Sequence, residues 1–589
     1  MTNKTPKIEE KRHSLAHLLA IAVLEKFPEA KLGIGPVIEN GFYYDFELPS
    51  SLKNEDLPEL EKRMRELAKE DLVFKKEKIT FPSAKKLFKD QPYKLELINE
   101  FHEQKKPLSI YKTFSGKSLI FADLCAGPHV KSTGDIDPKS FKLTRTAGAY
   151  WRGSEKNKML TRIYGAAFET EKELTDYLKR QEEIVKRDHR ILGEKLDLFM
   201  IDEKIGKGLP IWLPKGYFIR HLIEDYIYNL EEKNGYLHVL TPQLAKEELY
   251  QTSGHLAHYR EDMYAPIKIE EETYYLKPMN CPHHHSIYKH KTRSYRDLPL
   301  RIAEFGTVYR YERSGVLSGL IRVRGFTQND AHIYTTPEGI ENEIVNILKM
   351  HKKVYDDFKI YDYWFRLSLP DFKNKEKFGD TKDKKTWENA SDILRQTLKK
   401  MGLNFVEALG EASFYGPKID IQIKDIHGKE DTIATIQVDF YSAPKFDLTY
   451  IDKEGKEQPP VIIHRAILGS FERFFAFLIE KTAGKFPLWL APIQAKIINI
   501  SEKQLKYAEE VLKRFKESGI RAELDKDNAT LGKRIREAET QKIPYILVIG
   551  EKEAANKNIS IRHFERGQEG EMKVAELIEK MRQEIENKS

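Results

Sequence analysis

The sequence predicts a multidomain protein that combines α/β and α+β folds, and three observations support this prediction. A chain of 589 residues and 68.8 kDa is longer than one hydrophobic core usually supports, so we expect three or four domains. Strand-like and helix-like segments are mixed before about residue 170 and alternate regularly after about residue 488. The hydrophobic content of 40%, with 11% aromatic residues, is ample for packed cores.

The first predicted element is a helix from about Arg12 to Phe27. Its apolar residues recur at helical spacing, and His13 and His17 lie about 40° apart, opposite the apolar arc. Short strands such as GFYYDFEL follow, within a predicted N-terminal α+β domain at 1–169. Residues 170–195 are rich in charge and predict a single long connector helix.

The central block, 196–487, contains most of the long aromatic strands. The last block, 488–589, predicts a small α/β domain with a mainly parallel sheet, with helices from Lys503 to Ser518 and around Lys533.

Charge and composition restrict the class of protein. The net charge of +7 comes from 99 basic and 92 acidic residues, a balance that suits a polyanionic partner but is weak evidence for nucleic acid. Two cysteines in a chain without an apolar leader or an 18-residue apolar run predict a cytoplasmic protein with reduced thiols and no membrane segment. SGKSL at 115–119 fails as a P-loop because Tyr111 stands where glycine is needed, and no GxGxxG follows a strand.

Both cysteines stand close to histidines. Cys125 is followed by His129, one helical turn further on, and Cys281 is followed directly by His283, His284 and His285. Two small buried thiols would produce the same pattern. The alternative is two chemical sites, each with a thiol as a ligand or reactive group.

Polar residues at strand period indicate a binding site in the central block. Arg310 and Glu312 are two apart on a predicted strand and would share one face, although a solvent-exposed ion pair would look the same. A second predicted strand carries alternating polar residues, which is costly unless they bind a polar ligand. These residues are Arg322, Arg324, Gln328, Asp330 and His332. A third strand is predicted to end at His464 and to lead into a helix that begins near Glu472 and Arg473.

Together these segments resemble the class II aminoacyl-tRNA synthetases. Arg310 and Glu312 match the fRxE of motif 2, and Gly469 and Arg473 match the GxxxR of motif 3. The helix 217–232 with Pro242 resembles motif 1, which implies a homodimer. KPMNCPHH, RVRGFTQNDAHIY, FYGPKIDI and HRAILGSFERF are similar to the threonyl-tRNA synthetase family in particular. The resemblance implies a class II antiparallel-sheet catalytic core, an N-terminal α+β editing domain and a C-terminal α/β anticodon-binding domain.

The resemblance also implies roles for residues of the central block. Cys281, His332 and His464 match the family's zinc ligands, one Zn²⁺ per chain with an open fourth position. Such a metal would accept the amino and hydroxyl groups of threonine and reject valine, which is nearly isosteric but has no hydroxyl. The implied residues around L-threonine are Gln328, Asp330, Tyr415 and Gln437.

ATP with Mg²⁺ would be held by a second set, in which Arg310, Lys418 and Arg473 are catalytic because they offset charge on the phosphates. The implied ATP-binding residues are Arg310, Glu312, Arg324, Glu472 and Arg473.

The N-terminal block resembles the editing domain of threonyl- and alanyl-tRNA synthetases. The matching residues are His13, His17, Lys94, Asp123, Cys125 and His129. A second zinc site and a metal-free site that positions water both remain open, and we favour the metal-free alternative. Serine keeps both coordinating groups of threonine, so a hydrolytic second sieve for seryl-tRNA is expected.

The C-terminal block resembles the anticodon-binding domain of the family, with Asn528, Glu553 and Arg562 at matching positions. The sequence starts about ten residues before His13, so we expect the ubiquitin-like domain of many relatives to be missing. The implied activity is a threonine–tRNA ligase acting on tRNA(Thr). A synthetase-like RNA-binding regulator would lack motif residues that are present here, and a hydrolase built on the N-terminal site alone would not need the central motifs.

Overall fold

A computed structural model describes residues 7–374 and 384–588. The chain divides into two compact units, Met1–Glu183 and Ile184–Ser589. The prediction of a single long connector helix at 170–195 was wrong. Two helices, Glu171–Arg187 and His189–Lys195, are interrupted at Asp188. The Asp188 carboxylate accepts a hydrogen bond from the N–H of Arg190 at 2.8 Å, so it caps a new helix instead of continuing the old one.

The first unit is built around the helix Ile8–Lys26. This helix contacts the helix Leu57–Lys69 and strands of two different sheets, so it is buried on almost every side. His17, predicted to lie opposite the apolar arc, is 1% exposed, so this side of the helix is buried as well. One sheet has the strand order Lys31–Leu32, Gly41–Glu47, Met159–Ala167, Phe141–Tyr150, with Val37–Ile38 paired to Gly41–Glu47; the other has the order Val73–Lys78, Ser109–Ser115, Ser118–Leu124. The remaining helices are Phe81–Leu87 and Pro92–Glu103.

An antiparallel sheet forms the centre of the second unit, as predicted for the catalytic core. Within residues 184–374 and 384–588 its strand order is Leu237–His238, Leu300–Tyr309, Gly325–Thr335, Val461–Ser470, Glu430–Asp439, Lys418–Lys424, Tyr363–Leu369, Phe405–Leu409. Both edge strands pair in parallel and the interior pairs are antiparallel. One hydrophobic core joins this sheet to the helices Pro214–Lys233, Ile340–Asp357, Lys384–Lys400 and Phe471–Thr482.

Smaller elements surround the sheet. They are the strand pairs Phe199–Met200 with Ile211–Trp212 and Tyr450–Ile451 with Glu457–Gln458, the strands Leu244–Lys246, Ile267–Ile269 and Glu272–Leu276, and the helices Glu247–Thr252, His255–His258, Cys281–Lys289 and Ser442–Lys445.

Three of the predicted strand limits in the core were wrong. The strand Leu300–Tyr309 ends before Arg310, so Arg310 and Glu312 lie in an irregular segment in which the N–H of Arg310 donates to the carbonyl of Arg324 at 2.9 Å. Arg322 and Arg324 likewise precede the strand Gly325–Thr335. The third strand continues past His464 to Ser470, because Glu430–Asp439 pairs with it as far as Ala466 and Gly325–Thr335 as far as Ser470.

The C-terminal sheet has the strand order Ala522–Leu524, Ala495–Asn499, Tyr545–Ile549, Asn558–His563, Gly567–Lys573. The first three strands are parallel and the last two add in antiparallel fashion, so the prediction of a mainly parallel sheet was wrong. Three residues separate the last two strands, too few for the crossover that parallel pairing requires. The helices are Leu505–Glu517, Leu531–Thr540, Glu551–Asn556 and Val574–Glu586. Among the described residues, we find no helix with the length and apolar character needed to cross a membrane.

Candidate functional sites

The first site is a cluster of three side chains on the central sheet. His332 and His464 are direct partners on adjacent antiparallel strands, which places their imidazoles on the same face. Cys281, the first residue of the helix Cys281–Lys289, joins them, and one nitrogen or sulfur atom of each residue lies within 4.8 Å of the others. A Cys/His/His donor set is the combination that zinc prefers.

Hydrogen bonds orient both imidazoles of this cluster. His464 Nε2 lies 2.9 Å from Asp439 Oδ2, which leaves Nδ1 for the cluster. His332 Nδ1 lies 2.8 Å from His284 Nδ1, and His284 Nε2 lies 3.0 Å from Glu304 Oε2. Metal-binding histidines usually have such partners on the second nitrogen. Burial lowers the pKa of His332 well below its ordinary value, which keeps the ring neutral as a ligand must be. The residues therefore fit a zinc ion.

The cluster lines a cavity of about 360 Å³. Nine of the predicted site residues line it together, namely Cys281, Arg310, Gln328, Asp330, His332, Tyr415, Gln437, His464 and Arg473. The cavity thus brings a soft-metal donor set, the Asp330 carboxylate and the guanidinium groups of Arg310 and Arg473 to a single space.

Hydrogen bonds hold the polar groups near the Cys/His/His cluster in place. Asn280 Nδ2 donates to Asp330 Oδ2 at 2.9 Å. The Gln437 carbonyl accepts hydrogen bonds from the Tyr415 hydroxyl and, at 3.0 Å, from Ser413 Oγ. The Tyr415 ring stacks on His464 with the centroids 5.1 Å apart. Asn280, Ser413 and the Asp439 carboxylate were not predicted from the sequence.

Arg310 and Arg473, which also line the cavity, are held by backbone carbonyls. Arg310 Nε donates to the Pro278 carbonyl at 3.2 Å, and Arg473 Nε donates to the Ile321 carbonyl at 3.2 Å. Gly469 of the GxxxR pattern has φ +64°, and a Cβ there would lie 2.5 Å from the Ile433 carbonyl oxygen. This close approach requires glycine and sets the strand end that precedes Arg473.

The other predicted core residues have partners elsewhere in the described part of the chain. Glu312 accepts from Arg322 Nε at 2.9 Å, and Arg324 Nε donates to the Glu312 carbonyl at 2.8 Å. Lys418 Nζ lies 2.9 Å from Asp420 Oδ2. Glu472 is buried and accepts from the N–H of Thr327 at 2.9 Å, and burial raises its pKa.

The second site lies in the first unit, where His13, His17, Cys125 and His129 place one ligand atom each within 4.8 Å. Residues 125–130 form a loop, so the predicted helical turn between Cys125 and His129 was wrong.

The proton positions in this cluster follow from the hydrogen bonds. His13 Nδ1 lies 3.2 Å from the Pro128 carbonyl, which can only accept, so Nε2 carries a lone pair. Ser14 Oγ donates to the Glu10 carbonyl, so His129 Nδ1 must donate to Ser14 Oγ. Both Nε2 atoms then face Cys125 Sγ at 3.3 Å.

Charged and hydroxyl groups complete the second site. Lys94 Nζ lies 2.5 Å from Asp123 Oδ1, and both side chains are almost fully buried. The Tyr44 hydroxyl donates to Asp123 Oδ2 at 2.6 Å, and His17 Nε2 lies 3.7 Å from the same oxygen. All six predicted residues therefore come together. Tyr44 was not predicted, although its polar hydroxyl in a strand with a buried face was a signal.

Burial sets the protonation of this site. Desolvation lowers the pKa of His13 and lowers that of His17 well below its ordinary value. The same effect raises the pKa of the Cys125 thiol to about 12. At neutral pH the site therefore holds neutral imidazoles, whose free nitrogens can accept hydrogen bonds, beside a protonated thiol.

The predicted anticodon residues lie on separate elements. Asn528 is exposed in the loop before the helix Leu531–Thr540. Glu553 Oε2 accepts from the N–H of Gly550 at 2.9 Å, and Arg562 Nε donates to Glu539 Oε1 at 2.6 Å.

Comparison with known proteins assigns all three parts of the chain. Family models match the tRNA synthetase class II core domain (G, H, P, S and T) at residues 264–482, an anticodon binding domain at 494–584, and the threonyl and alanyl tRNA synthetase second additional domain at 108–164. The last of these is the domain associated with editing.

Relatives agree over nearly the full sequence. The threonine–tRNA ligase of a Geobacillus species is 47% identical over 577 residues, which are 98% of this chain and 88% of the relative. That of Streptococcus thermophilus is 48% identical over 581 residues, with the same coverage. Among solved structures, the RNA binding domain of threonyl-tRNA synthetase from Cryptosporidium parvum has a TM-score of 0.62 at 38% identity and covers 67% of this chain and 98% of its own. The chain therefore belongs to the threonine–tRNA ligase family, class II aminoacyl-tRNA synthetases that use ATP, with Mg²⁺, to join threonine to tRNA.

Proposed function

We propose that the cavity selects threonine through a zinc ion held by Cys281, His332 and His464. The observation that carries this proposal is the convergence of these three donors on a cavity that Arg310 and Arg473 also line. Held there, a zinc ion would supply a Lewis acid for the amino group and the hydroxyl group of threonine, whereas valine has no hydroxyl to offer.

The remaining residues of the cavity act on the substrates directly. Asp330, oriented by Asn280, pairs with the ammonium group of the amino acid. Gln437 is already oriented by Tyr415 and Ser413, so it presents a fixed amide to the side chain. Arg310 holds the substrate carboxylate and the α-phosphate in a bidentate manner, and Arg473 lies over the adenine and reaches the γ-phosphate. Both guanidinium groups offset the negative charge that develops when the carboxylate attacks ATP.

Cys281→Ser tests this assignment. The variant should fold, lose about one equivalent of tightly bound zinc and lose threonine activation. Ser286→Ala, on the exposed side of the same helix, is the control. A Cys281→Ser protein without metal that still activates threonine at the parental rate would overturn the proposal.

We further propose that the first unit hydrolyses seryl-tRNA. The lone pairs on Nε2 of His13 and His129 provide acceptors for an attacking water, and the Lys94–Asp123 pair supplies a fixed charge beside them. His13→Ala/His17→Ala should leave threonine activation intact and allow seryl-tRNA to accumulate. Equal clearance of pre-formed seryl-tRNA by parent and variant would show that the histidines are structural. Clearance that survives chelation supports the metal-free form of the site.

A homodimer is proposed from the surface near the helix Pro214–Lys233. Leu237, Leu240 and Leu244, which follow one another closely in the sequence, are 58%, 89% and 40% exposed. Large apolar side chains exposed within one short segment mark an interaction surface. Leu240→Glu should give a monomer in analytical ultracentrifugation, whereas Ile269→Glu should not.

Three further points complete the proposal. The domain limits are 1–169, 170–195, 196–487 and 488–589, and the protein is cytoplasmic. The anticodon is contacted by Asn528, Glu553 and Arg562. Limited proteolysis tests the limits. Substitution of the three anticodon residues should raise the KM for tRNA without changing amino-acid activation.

A further inference from the structure

We propose that His189 is a positioning residue for Arg473 and acts through the loop that precedes the strand Gly325–Thr335. The inference rests on the role proposed above for Arg473 in holding ATP. His189 begins the helix His189–Lys195 and is 2% exposed. It forms a buried group with Asp188 and Glu480 whose nitrogen and oxygen atoms lie within 4.8 Å, the spacing of a metal site.

Both nitrogens of His189 are already engaged, which favours a structural link over a metal ligand. Nδ1 lies 2.7 Å from Glu480 Oε1, and Nε2 accepts a hydrogen bond from the N–H of Leu320 at 3.1 Å. A carboxylate accepts and an amide donates, so the proton lies on Nδ1 and the lone pair of Nε2 points to Leu320. In this arrangement the imidazole joins the helix Phe471–Thr482, which carries Glu480, to the loop.

The loop backbone lies directly against the imidazole. Gly319 has φ +47°, and a Cβ at this position would be 2.1 Å from His189 Nε2. A side chain there is therefore excluded both by the backbone conformation and by the space. The close approach fixes where the Leu320 amide sits.

The residue after Leu320 contacts Arg473. The Ile321 carbonyl accepts the hydrogen bond from Arg473 Nε at 3.2 Å, and Arg473 also donates to the Thr432 carbonyl at 3.3 Å. Arg473 and Glu480 lie on the same helix, so the loop is fastened to that helix at two points, through His189 and through Arg473 itself. A guanidinium held by two carbonyls is pre-organised and loses less freedom when it meets ATP.

Two substitutions separate the two contacts of His189. The amide nitrogen of His189→Asn overlies Nδ1, so this variant keeps the Glu480 contact and loses the Leu320 contact. The amide of His189→Gln reaches the Nε2 position, where its oxygen accepts from Leu320. Arg190→Gln, at the exposed neighbouring position, is the matched control.

Threonine-dependent ATP–pyrophosphate exchange is the readout. His189→Asn should raise the KM for ATP about fivefold, the effect of one lost hydrogen bond, with kcat and the KM for threonine within about twofold of the parent. Arg190→Gln should keep the parental KM for ATP, and His189→Gln, which keeps the Leu320 contact but loses the Glu480 contact, should raise this KM less than His189→Asn does. A purely structural role would instead lower the thermal midpoint and reduce kcat for His189→Asn without the selective change in KM, which would overturn the inference.

A double-mutant cycle with Arg473→Lys distinguishes this inference from the proposal on which it rests. If His189 acts through Arg473, His189→Asn should have no further effect on the KM for ATP in the Arg473→Lys background. Additive effects would overturn the inference while leaving the ATP site intact. An unchanged KM for ATP in Arg473→Lys alone would instead refute the proposed role of Arg473.

Discussion

Replacing Lys94 by Met should destabilise the first unit more than any loss of a surface ion pair could. Lys94 and Asp123 form an ion pair in which both side chains are almost fully buried. Removal of one partner from such a pair costs about 3–5 kcal/mol, because the other charge stays buried. The Tyr44 hydroxyl still donates to Asp123 in the variant, which places the expected loss near the lower end, about 3 kcal/mol.

Hydrogen exchange in the full chain measures this loss on the strand Ser118–Leu124, which carries Asp123. About 3 kcal/mol corresponds to roughly 10²-fold faster exchange from unfolding of this unit. Lys112→Met is the control, because Lys112 pairs with Glu77 on the same sheet but is more exposed, and such pairs contribute at most about 1 kcal/mol. Equal exchange in the two variants would refute the buried ion pair.

Three further predictions concern the chemistry of the two sites. Arg310→Lys should keep the fold and lose the bidentate grip, lowering kcat/KM for ATP–pyrophosphate exchange roughly 10²–10³-fold; a near-parental rate would place phosphate binding elsewhere. In Cys281→Ser protein treated with chelator, Cys125 should react with iodoacetamide at pH 8 on the order of 10³-fold more slowly than free cysteine. The reason is that a thiol with a pKa of about 12 is almost entirely protonated at pH 8. A rate within tenfold of that of free cysteine would contradict this prediction. Asp439→Asn should weaken zinc binding about 10–100-fold in chelator competition, since His464 loses a charged partner, and unchanged affinity would argue against the ligand role.

Short-range patterns in the sequence predicted the elements, and the family motifs predicted which residues meet. The predicted strands around Asp330 and the helix at Arg473 are present. His332 and His464 are 132 residues apart in a sequence that contains no signal of their pairing, because strand register depends on the whole sheet. Only the resemblance to the synthetases predicted that these two histidines lie together.

The burial of the first helix and the wrong prediction about Arg310 also depend on contacts that a local sequence pattern does not show. His17 was expected opposite the apolar arc, but two sheets and a helix enclose the first helix, which periodicity within one segment cannot show. The alternating polar residues around Arg310 looked like a strand, whereas a backbone hydrogen bond to Arg324 and the Glu312–Arg322 pair support a loop. The break at Asp188 was readable, since aspartate is a preferred helix N-cap.

Amino-acid-dependent ATP–pyrophosphate exchange by the unmodified chain tests most directly whether the cavity selects its substrate through the hydroxyl group. Threonine should support rapid exchange. Serine should support slower but measurable exchange, because it keeps both the amino group and the hydroxyl. Valine should give background rates, since it fills the same space and has no hydroxyl to offer. Exchange with valine at a rate similar to that with threonine would contradict selection by the Cys281, His332 and His464 site.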